Sequence, residues 1–365
     1  MTIPTIHVGC GGYALGRLHA LVNCKGLEPV AGVDINLEEA RKNVANMDGD
    51  VPSGLAERIY TTITEAREKH HAKACVIFTS TPSHAKLTIE SLNLGLHTLC
   101  VKPIAFNQAE FGQVMSTHRA NPNVMLVQGQ NKRWNPAAAK MREWLGEEVI
   151  GEMLGGECRL WVRMRDSTPA DDEIFFHFCA GHQLDQLVAA KGLPKYLTAY
   201  IQPNKEQTGV SGPSGGQILM EYANGAPFCY TATRTGHTDG VANGATGLYG
   251  WSGAWTIHGA TGDISRTAGY PEPGHLRLFR RGECVEDLQL QDLHPPPKGV
   301  SYRHWEEDDR LQFEAFAEAI STGKDEDWIQ ETTLNAWVLM EACHVSVRTR
   351  ERVDVEAFRA KVMGE

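Results

Sequence analysis

The sequence contains no uninterrupted apolar run approaching the roughly 18 residues that a membrane-spanning helix needs, so no membrane partner is expected. It also lacks any CxxC pair. Its nine cysteines, an odd number at irregular positions from Cys10 to Cys343, outline neither a disulfide framework nor a zinc cluster. They read as reduced, small core residues of a cytoplasmic protein. Positive charge is in deficit: 35 Lys and Arg face 45 Asp and Glu, and the net charge of −10 carries no offsetting basic cluster. That balance excludes a nucleic-acid surface. The first apolar stretch begins within a few residues of Met1, leaving no room for a signal peptide. Internal repeats and low-complexity tracts are missing too, and Pro295-Pro296-Pro297 stands alone as a stiff connector. A metal set from His177, Cys179 and His182 fails on spacing. The two histidines are five residues apart and point to different faces of a helix, so no metal is expected.

What is present is concentrated near the start. Gly9-Cys10-Gly11-Gly12-Tyr13-Ala14 follows the apolar stretch Ile3 to Val8 and precedes a helical pattern at Leu15–Asn23. A second apolar strand, Pro29 to Val33, ends in Asp34. Strand, glycine turn, helix, strand and terminal acid are the physical components of a dinucleotide site. Gly9 permits a tight turn, Gly11 and Gly12 let the backbone approach a pyrophosphate, and small Ala14 allows close helix–strand packing. The helix N-terminus then holds the phosphate charge. Asp34 can accept both ribose hydroxyls and would repel a 2′-phosphate. Ile35 and Asn36 offer no cation to offset that repulsion, and Arg41 lies further along the next helix. The expected cofactor is therefore NAD and not NADP. Asp34 could instead cap the helix Leu37–Ala45, a role open equally to Asn36, and the two roles are compatible.

The first part of the chain alternates strand and helix. Strands are expected at Thr5–Gly9, Pro29–Asp34, Ile59–Thr62, Ala74–Thr79, His97–Cys100 and Val124–Gln128. Helices are expected between them at Leu15–Asn23, Leu37–Ala45, Ile63–Lys69, Ser83–Leu94 and Gln108–His118. This order predicts an N-terminal Rossmann domain, a doubly wound parallel sheet with its ligand at the carboxyl ends of the strands. The texture changes after residue 122. A bridging helix at Trp134–Leu145, a long alternating strand at Glu152–Arg165 and a helix at Glu173–Ala190 stopped by Gly192 lead into β-rich runs from Tyr196 to about Leu290. The turn pairs Asn224-Gly225, Asp239-Gly240 and Asn243-Gly244 mark that stretch as an open, mainly antiparallel sheet. Two helices near Asp308–Ser321 and Thr332–Arg348 close the chain. The division expected is 1–122 for the NAD-binding domain and 123–365 for an α/β substrate and oligomerisation domain, its final helices free to pack back on the first.

Two strand ends carry chemistry: Thr81-Pro82-Ser83-His84 follows the fourth strand and Lys102-Pro103 follows the fifth. A lysine held out of water near an oxidised nicotinamide ring would have its pKa lowered toward the working pH, which suits acid/base work; an exposed loop lysine is the bland alternative. On the helix Glu173–Ala190, Phe178, His182 and Asp185 are spaced four and three apart and are expected to share a face. His182 taken alone reads by default as a satisfied core histidine. Trp161, Arg163, Arg165, His237, Trp251 and Trp255 are candidate cleft residues of the second domain, although tryptophans in a sheet are more often core.

Together these residues resemble the Gfo/Idh/MocA family, the glucose–fructose oxidoreductase and inositol dehydrogenase group. The resemblance runs over nearly the whole chain. It rests on the glycine turn with Gly16-Arg17-Leu18-His19, on Thr81-Pro82-Ser83-His84 and Lys102-Pro103, and on Gly129-Gln130-Asn131-Lys132-Arg133-Trp134-Asn135-Pro136. It continues through His182-Gln183-Leu184-Asp185 and a terminal helix with Arg348-Thr349-Arg350. It implies Lys102 and His182 as the proton-handling pair beside a substrate carbinol, with Gly9, Gly11, Ala14 and Asp34 holding NAD. Thr81, Pro82 and His84 would line the nicotinamide side, Asn131 and Arg133 would lie close by, and Arg163, Phe178 and Asp185 would meet substrate. A homo-oligomer, dimer or tetramer, is implied as well. Three departures stand out: Val101 replaces the family's usual Glu before the Lys, Phe178 replaces its usual Asp four residues before the His, and Ala14 and Leu15 lengthen the turn. Losing both carboxylates makes the site drier, and desolvation then favours a neutral Lys102. The implied activity is NAD-dependent oxidation of a secondary hydroxyl, or reduction of a keto group, on a sugar, cyclitol or glycoside. Two alternatives stay open: glycoside cleavage through a transient 3-keto intermediate, and a non-catalytic sensor of NAD or sugar.

Overall fold

The computed structural model describes residues 2–47, 51–161, 175–203, 212–233, 253–267, 274–293, 304–323 and 330–365. Arg163, Arg165, His237 and Trp251 lie outside these residues, as does the side chain of Trp161. The chain divides into two compact units. One comprises Met1–Trp134, Pro296–Leu334 and Val362–Glu365, and the other Asn135–Pro295 and Asn335–Lys361.

In the first unit, β1 (Ile3–Val8), α1 (Gly12–Val22), β2 (Leu27–Val33), α2 (Leu37–Ala45), β3 (Ile59–Tyr60), α3 (Ile63–His70), β4 (Ala74–Ile77), α4 (His84–Asn93), β5 (His97–Val101), α5 (Gln108–Ala120) and β6 (Leu126–Gly129) alternate as expected. The six strands pair in the order β3-β2-β1-β4-β5-β6, and every pairing is parallel. Such a sheet is covered on both faces, and every residue of β4 and of β6 is buried accordingly. The unit runs past residue 122 because β6 completes the sheet. It also takes in a later helix, α10 in chain order, at His304–Thr322, whose Phe313 and Phe316 are fully buried in the core; Phe313 meets Phe78 edge-on at 5.9 Å between centroids.

The second unit holds α6 (Pro136–Gly146), β7 (Met153–Trp161), α7 (Phe175–Cys179), α8 (Gly181–Lys191), β8 (Tyr196–Gln202), β9 (Gly215–Glu221), β10 (Pro227–Thr233), β11 (Ala254–Gly259), β12 (Asp263–Arg266), β13 (His275–Arg280), β14 (Glu283–Gln289) and α9 (Leu290–Leu293). After α10, helix α11 (Gln330–Thr349) begins in the first unit and continues in the second, followed by β15 (Val353–Asp354) and α12 (Val355–Met363). The second sheet has nine strands in the order β14-β13-β12-β11-β7-β10-β9-β8-β15, antiparallel except for β7 beside β10. Alternation gives it one apolar buried face, with Ile218, Met220, Phe228 and Tyr230, and one open face. Thr198, Leu219 and Cys229 stand in one cross-strand row on the open face. Trp255 is buried at 5.9 Å from Phe228, so this tryptophan belongs to the core and not to a cleft.

Candidate active site

The glycine turn is built as its sequence requires. Gly9 has φ +100°, and a Cβ there would come within 2.5 Å of the Phe78 carbonyl oxygen, so no other residue fits. Helix α1 starts at Gly12, three residues before the expected Leu15, with Gly11 at its N-cap. No side chain caps this end and no acid lies in its first turn. Gly11 and Gly12 are exposed, and a Cβ at either would meet nothing within 4 Å. Backbone N–H groups with open space before them are what a pyrophosphate needs.

Asp34, half-buried at the end of β2, accepts the Cys10 N–H at 2.8 Å and the Asn36 N–H at 2.9 Å, one on each carboxylate oxygen. A carboxylate has about four acceptor positions, so capacity remains for ribose hydroxyls. Asn36 caps α2 by accepting the Glu39 N–H at 3.2 Å, which removes helix capping from the roles of Asp34. Arg41 donates to the Ile59 carbonyl at 3.3 Å. Burial, with Asp34 adding to it, pushes the Cys10 thiol up to about 12, so this turn cysteine is inert. The sequence reading missed two apolar neighbours of the turn. Ile35 is 95% exposed directly after the acid, and Tyr13 is 58% exposed on the first turn of α1 with the Arg17 guanidinium 3.7 Å from its ring centroid. An apolar residue next to a strand-terminal acid was the available signal for Ile35.

Lys102 is half-buried immediately past β5. The next strands fix its backbone: the Lys102 N–H donates to the Gly129 carbonyl of β6 at 3.2 Å, and the Ile104 N–H donates to Gln128 Oε1 at 3.0 Å. Gln128 in turn donates to the Thr333 carbonyl at 3.1 Å. The Lys102–Pro103 peptide is cis. Of the expected nicotinamide-side residues, Thr81 is half-buried and Pro82 exposed in a short 3-10 turn after β4, whereas His84 is only 1% exposed. Both ring nitrogens of His84 lie on backbone carbonyls, so it sits beneath the surface that Thr81 and Pro82 form.

Arg133 is also fully buried, and its Nη1 donates to Thr332 Oγ1 at 2.7 Å. Asn131, 8% exposed, donates to Asp309 of α10. Around that carboxylate lies a buried ionic group, with Arg17 Nε 3.1 Å from Asp309, Lys132 Nζ 2.6 Å from Asp308 and His19 Nδ1 3.2 Å from Glu306. Burial raises the Asp309 pKa to about 6 against the pull of Arg17 and Lys132. Arg17 and His19 of the Gly16–His19 step therefore fasten α1 to α10.

In the second unit the expected helix Glu173–Ala190 is two helices within the described residues. α7 ends at Cys179, Ala180 departs to φ −117°, and α8 restarts at Gly181 and stops at Gly192 as expected. Phe178 and His182 thus belong to different helices. Both are half-exposed, but Asp185 is fully buried, so the three do not share an open face. Gly216 of β9 is what lets α7 lie on the sheet, because a Cβ there would come within 2.6 Å of the Phe175 ring. The Tyr230 hydroxyl donates to the Cys179 carbonyl, closing α7 from below. His177 is buried beside Trp337 and His344. Among the described residues no group of three or more His, Cys, Asp or Glu could hold a metal ion.

The family model described as "Oxidoreductase family, NAD-binding Rossmann fold" matches residues 5–128. The chain is 30% identical over 228 residues to 4-carboxy-2-hydroxymuconate-6-semialdehyde dehydrogenase of Sphingobium sp., covering 58% of this chain and 67% of that one. It is 29% identical over 153 residues to D-apiose dehydrogenase of Paraburkholderia graminis, covering 41% of this chain and 38% of that one. An oxidoreductase from Agrobacterium radiobacter, solved in complex with NAD+, L-tartaric acid and magnesium, superposes with a TM-score of 0.81 at 19% identity, over 98% of this chain and 99% of that one. With an uncapped glycine turn, a strand-terminal acid and these relatives, the chain is an NAD-binding oxidoreductase of the Gfo/Idh/MocA family.

Proposed function

We propose that the protein is an NAD-dependent dehydrogenase, or a reductase in the reverse direction, acting on a secondary hydroxyl of a sugar, cyclitol or glycoside. The observation that carries this reading is the fixed placement of Lys102. It stands just past β5 on the parallel sheet whose β1–α1 turn presents uncapped N–H groups and whose β2 ends at Asp34. Bound NAD supplies the hydride acceptor. Once deprotonated, the Lys102 amine takes the substrate hydroxyl proton and returns it in the reductive direction, with His182 as the second proton-handling group. Asp34 orients the adenosine ribose, and the N-terminus of α1 neutralises the pyrophosphate. The D-apiose dehydrogenase relative supports a sugar as substrate. Half-exposed Phe178, where the family's usual Asp is missing, supports a substrate with an apolar face, such as a glycoside. The open face of the nine-stranded sheet, with Tyr200 60% and Leu219 55% exposed, supports a homo-oligomer. The cysteines, six of the nine buried, support a cytoplasmic protein, although Cys229 and Cys284 are exposed and so are not the core residues expected.

The test is absorbance at the NADH band with NAD and a panel of hexoses, inositols and aryl glycosides. A signal confined to one class establishes the dehydrogenase. NAD binding with aglycone release and no net NADH points to transient oxidation. NAD binding with neither signal refutes the enzymatic reading.

A further inference from the structure

His84 opens α4 with its ring enclosed between two strand-end segments. Its Nδ1 lies 2.7 Å from the Pro103 carbonyl oxygen and its Nε2 lies 3.0 Å from the Thr79 carbonyl oxygen. Both oxygens can only accept, and a neutral imidazole has a single N–H. The neutral ring therefore donates to one segment at a time, and the shorter contact is to Pro103. Burial holds the His84 pKa below the ordinary histidine value and the Lys102 charge lowers it further, against the two carbonyl contacts and Glu110. In the sheet β5 lies between β4 and β6. The turn after β5 is gripped from the β6 side at Lys102 and Ile104, through Gly129 and Gln128. At Pro103, between them, it is gripped from the β4 side by His84.

We propose that His84 is a positioning residue for Lys102: with its proton on Nδ1 it fastens the Pro103 carbonyl and so fixes the turn from which Lys102 reaches its substrate. This moves His84 from the cofactor-lining role that its motif suggested, and it rests on the reading of Lys102 as proton acceptor. Two substitutions separate the two contacts. His84→Asn keeps an amide nitrogen near the Nδ1 position and so retains the bond to Pro103. His84→Gln keeps one near the Nε2 position and retains only the bond to Thr79.

The first measurement is 15N chemical shifts of the His84 ring in the wild-type protein. A proton on Nδ1 supports the assignment, and a neutral ring protonated on Nε2 overturns it. The second compares the variants. In His84→Gln, kcat should fall about 10- to 100-fold, the scale of a small misplacement of a reacting group, with KM and NAD affinity little changed. His84→Asn should stay close to wild type. Equal loss in both, or no loss in His84→Gln, overturns the proposal. The third is competitive acylation with acetic anhydride, read at Lys102 by peptide mass spectrometry, which needs no substrate. The Lys102 rate relative to the other lysines should change in His84→Gln and not in His84→Asn; no change in either overturns the tether. Turnover by Lys102→Met is judged separately. Full activity there defeats the proton-acceptor reading, whereas the acylation and 15N measurements still decide the tether.

Discussion

Lys102 and His182 are placed by different physics. Lys102 takes its position from strand register: β5 pairs with β4 and β6, and the residues just past it are held by backbone groups and two buried side chains. His182 takes its position from volume. It sits on the first turn of α8, after a break at Ala180, and the preceding α7 rests on a strand where only glycine leaves room. Register is discrete and tolerates side-chain change, whereas packing against a glycine is continuous and fails by degrees. The two halves should therefore respond differently to perturbation.

The largest contrast is at the lysine itself. Lys102→Met keeps the stem and every backbone bond of the turn and removes only the amine. We expect kcat to fall by about 10³-fold, within the range for loss of a general acid/base, with NAD affinity by fluorescence titration unchanged. Wild-type turnover in this variant would leave the strand-end half of the site without its chemistry.

The same difference explains what could be read from sequence. Strand-end features were legible because period, glycine and acid fall at fixed distances: Gly9, Asp34 and Lys102 all lie where the alternating pattern puts them. The start of α1 was placed three residues late because Gly12 is a poor helix former, and only the turn geometry recruits it. The break between α7 and α8 left only a weak trace. It falls at Ala180, the best helix former, and the Gly181 beside it is the kind of isolated glycine that a helical pattern tolerates. The burial of His84, Arg133 and Asp185 could not be read either. Each depends on partners distant in the chain, such as Pro103 and Thr332, and no spacing rule reports that. The short β15 and the closing α12 carried too little pattern to be seen.

Acid should strain the first unit through two opposed groups. His7, buried in β1, has its pKa lowered to about 3 by burial, so below the ordinary histidine value of 6.5 the unfolded chain binds a proton that the folded chain refuses, and stability falls with pH. Asp309, raised to about 6, acts the other way: between about 6 and 3.8 the folded chain holds the extra proton and gains stability as pH falls. Over that window in the wild type the Asp309 slope offsets that of His7. Asp309→Asn removes one of them, and His84, also lowered, adds to the other. Urea unfolding of this variant should lose about 1.4 kcal/mol per pH unit between pH 6 and pH 4 relative to wild type. A parallel pH dependence in the two proteins would contradict the raised pKa of Asp309.

The packing-dependent half is tested by Gly216→Val. The added carbon would meet the Phe175 ring at 2.6 Å and the Tyr200 carbonyl at 3.1 Å, so α7 must lift. Overpacking of this kind costs about 1–3 kcal/mol, read as a lowered Tm. Its sharper consequence is local. Activity should fall further than stability explains, because Phe178 and His182 follow α7, while NAD affinity should hold. Loss of NAD binding in this variant would show that the two halves are not separable in the way proposed.

The smallest effect sharpens the first half. Asp34 and Asn36 lie two residues apart, and both were plausible caps for α2. The geometry divides the work, with Asn36 accepting the Glu39 N–H and Asp34 accepting those of Cys10 and Asn36. Asn36→Ala should then lower stability by about 1 kcal/mol, the usual cost of a lost N-cap, and leave NAD affinity nearly unchanged. Asp34→Asn should do the reverse. An amide keeps one acceptor oxygen for the turn but turns a donor toward the other N–H, and it no longer repels a 2′-phosphate. Its NAD affinity should drop and its discrimination against NADP should narrow, with little change in Tm. If instead Asn36→Ala weakens NAD binding as much as Asp34→Asn does, cap and acid form one unit, and α2 is part of the cofactor site.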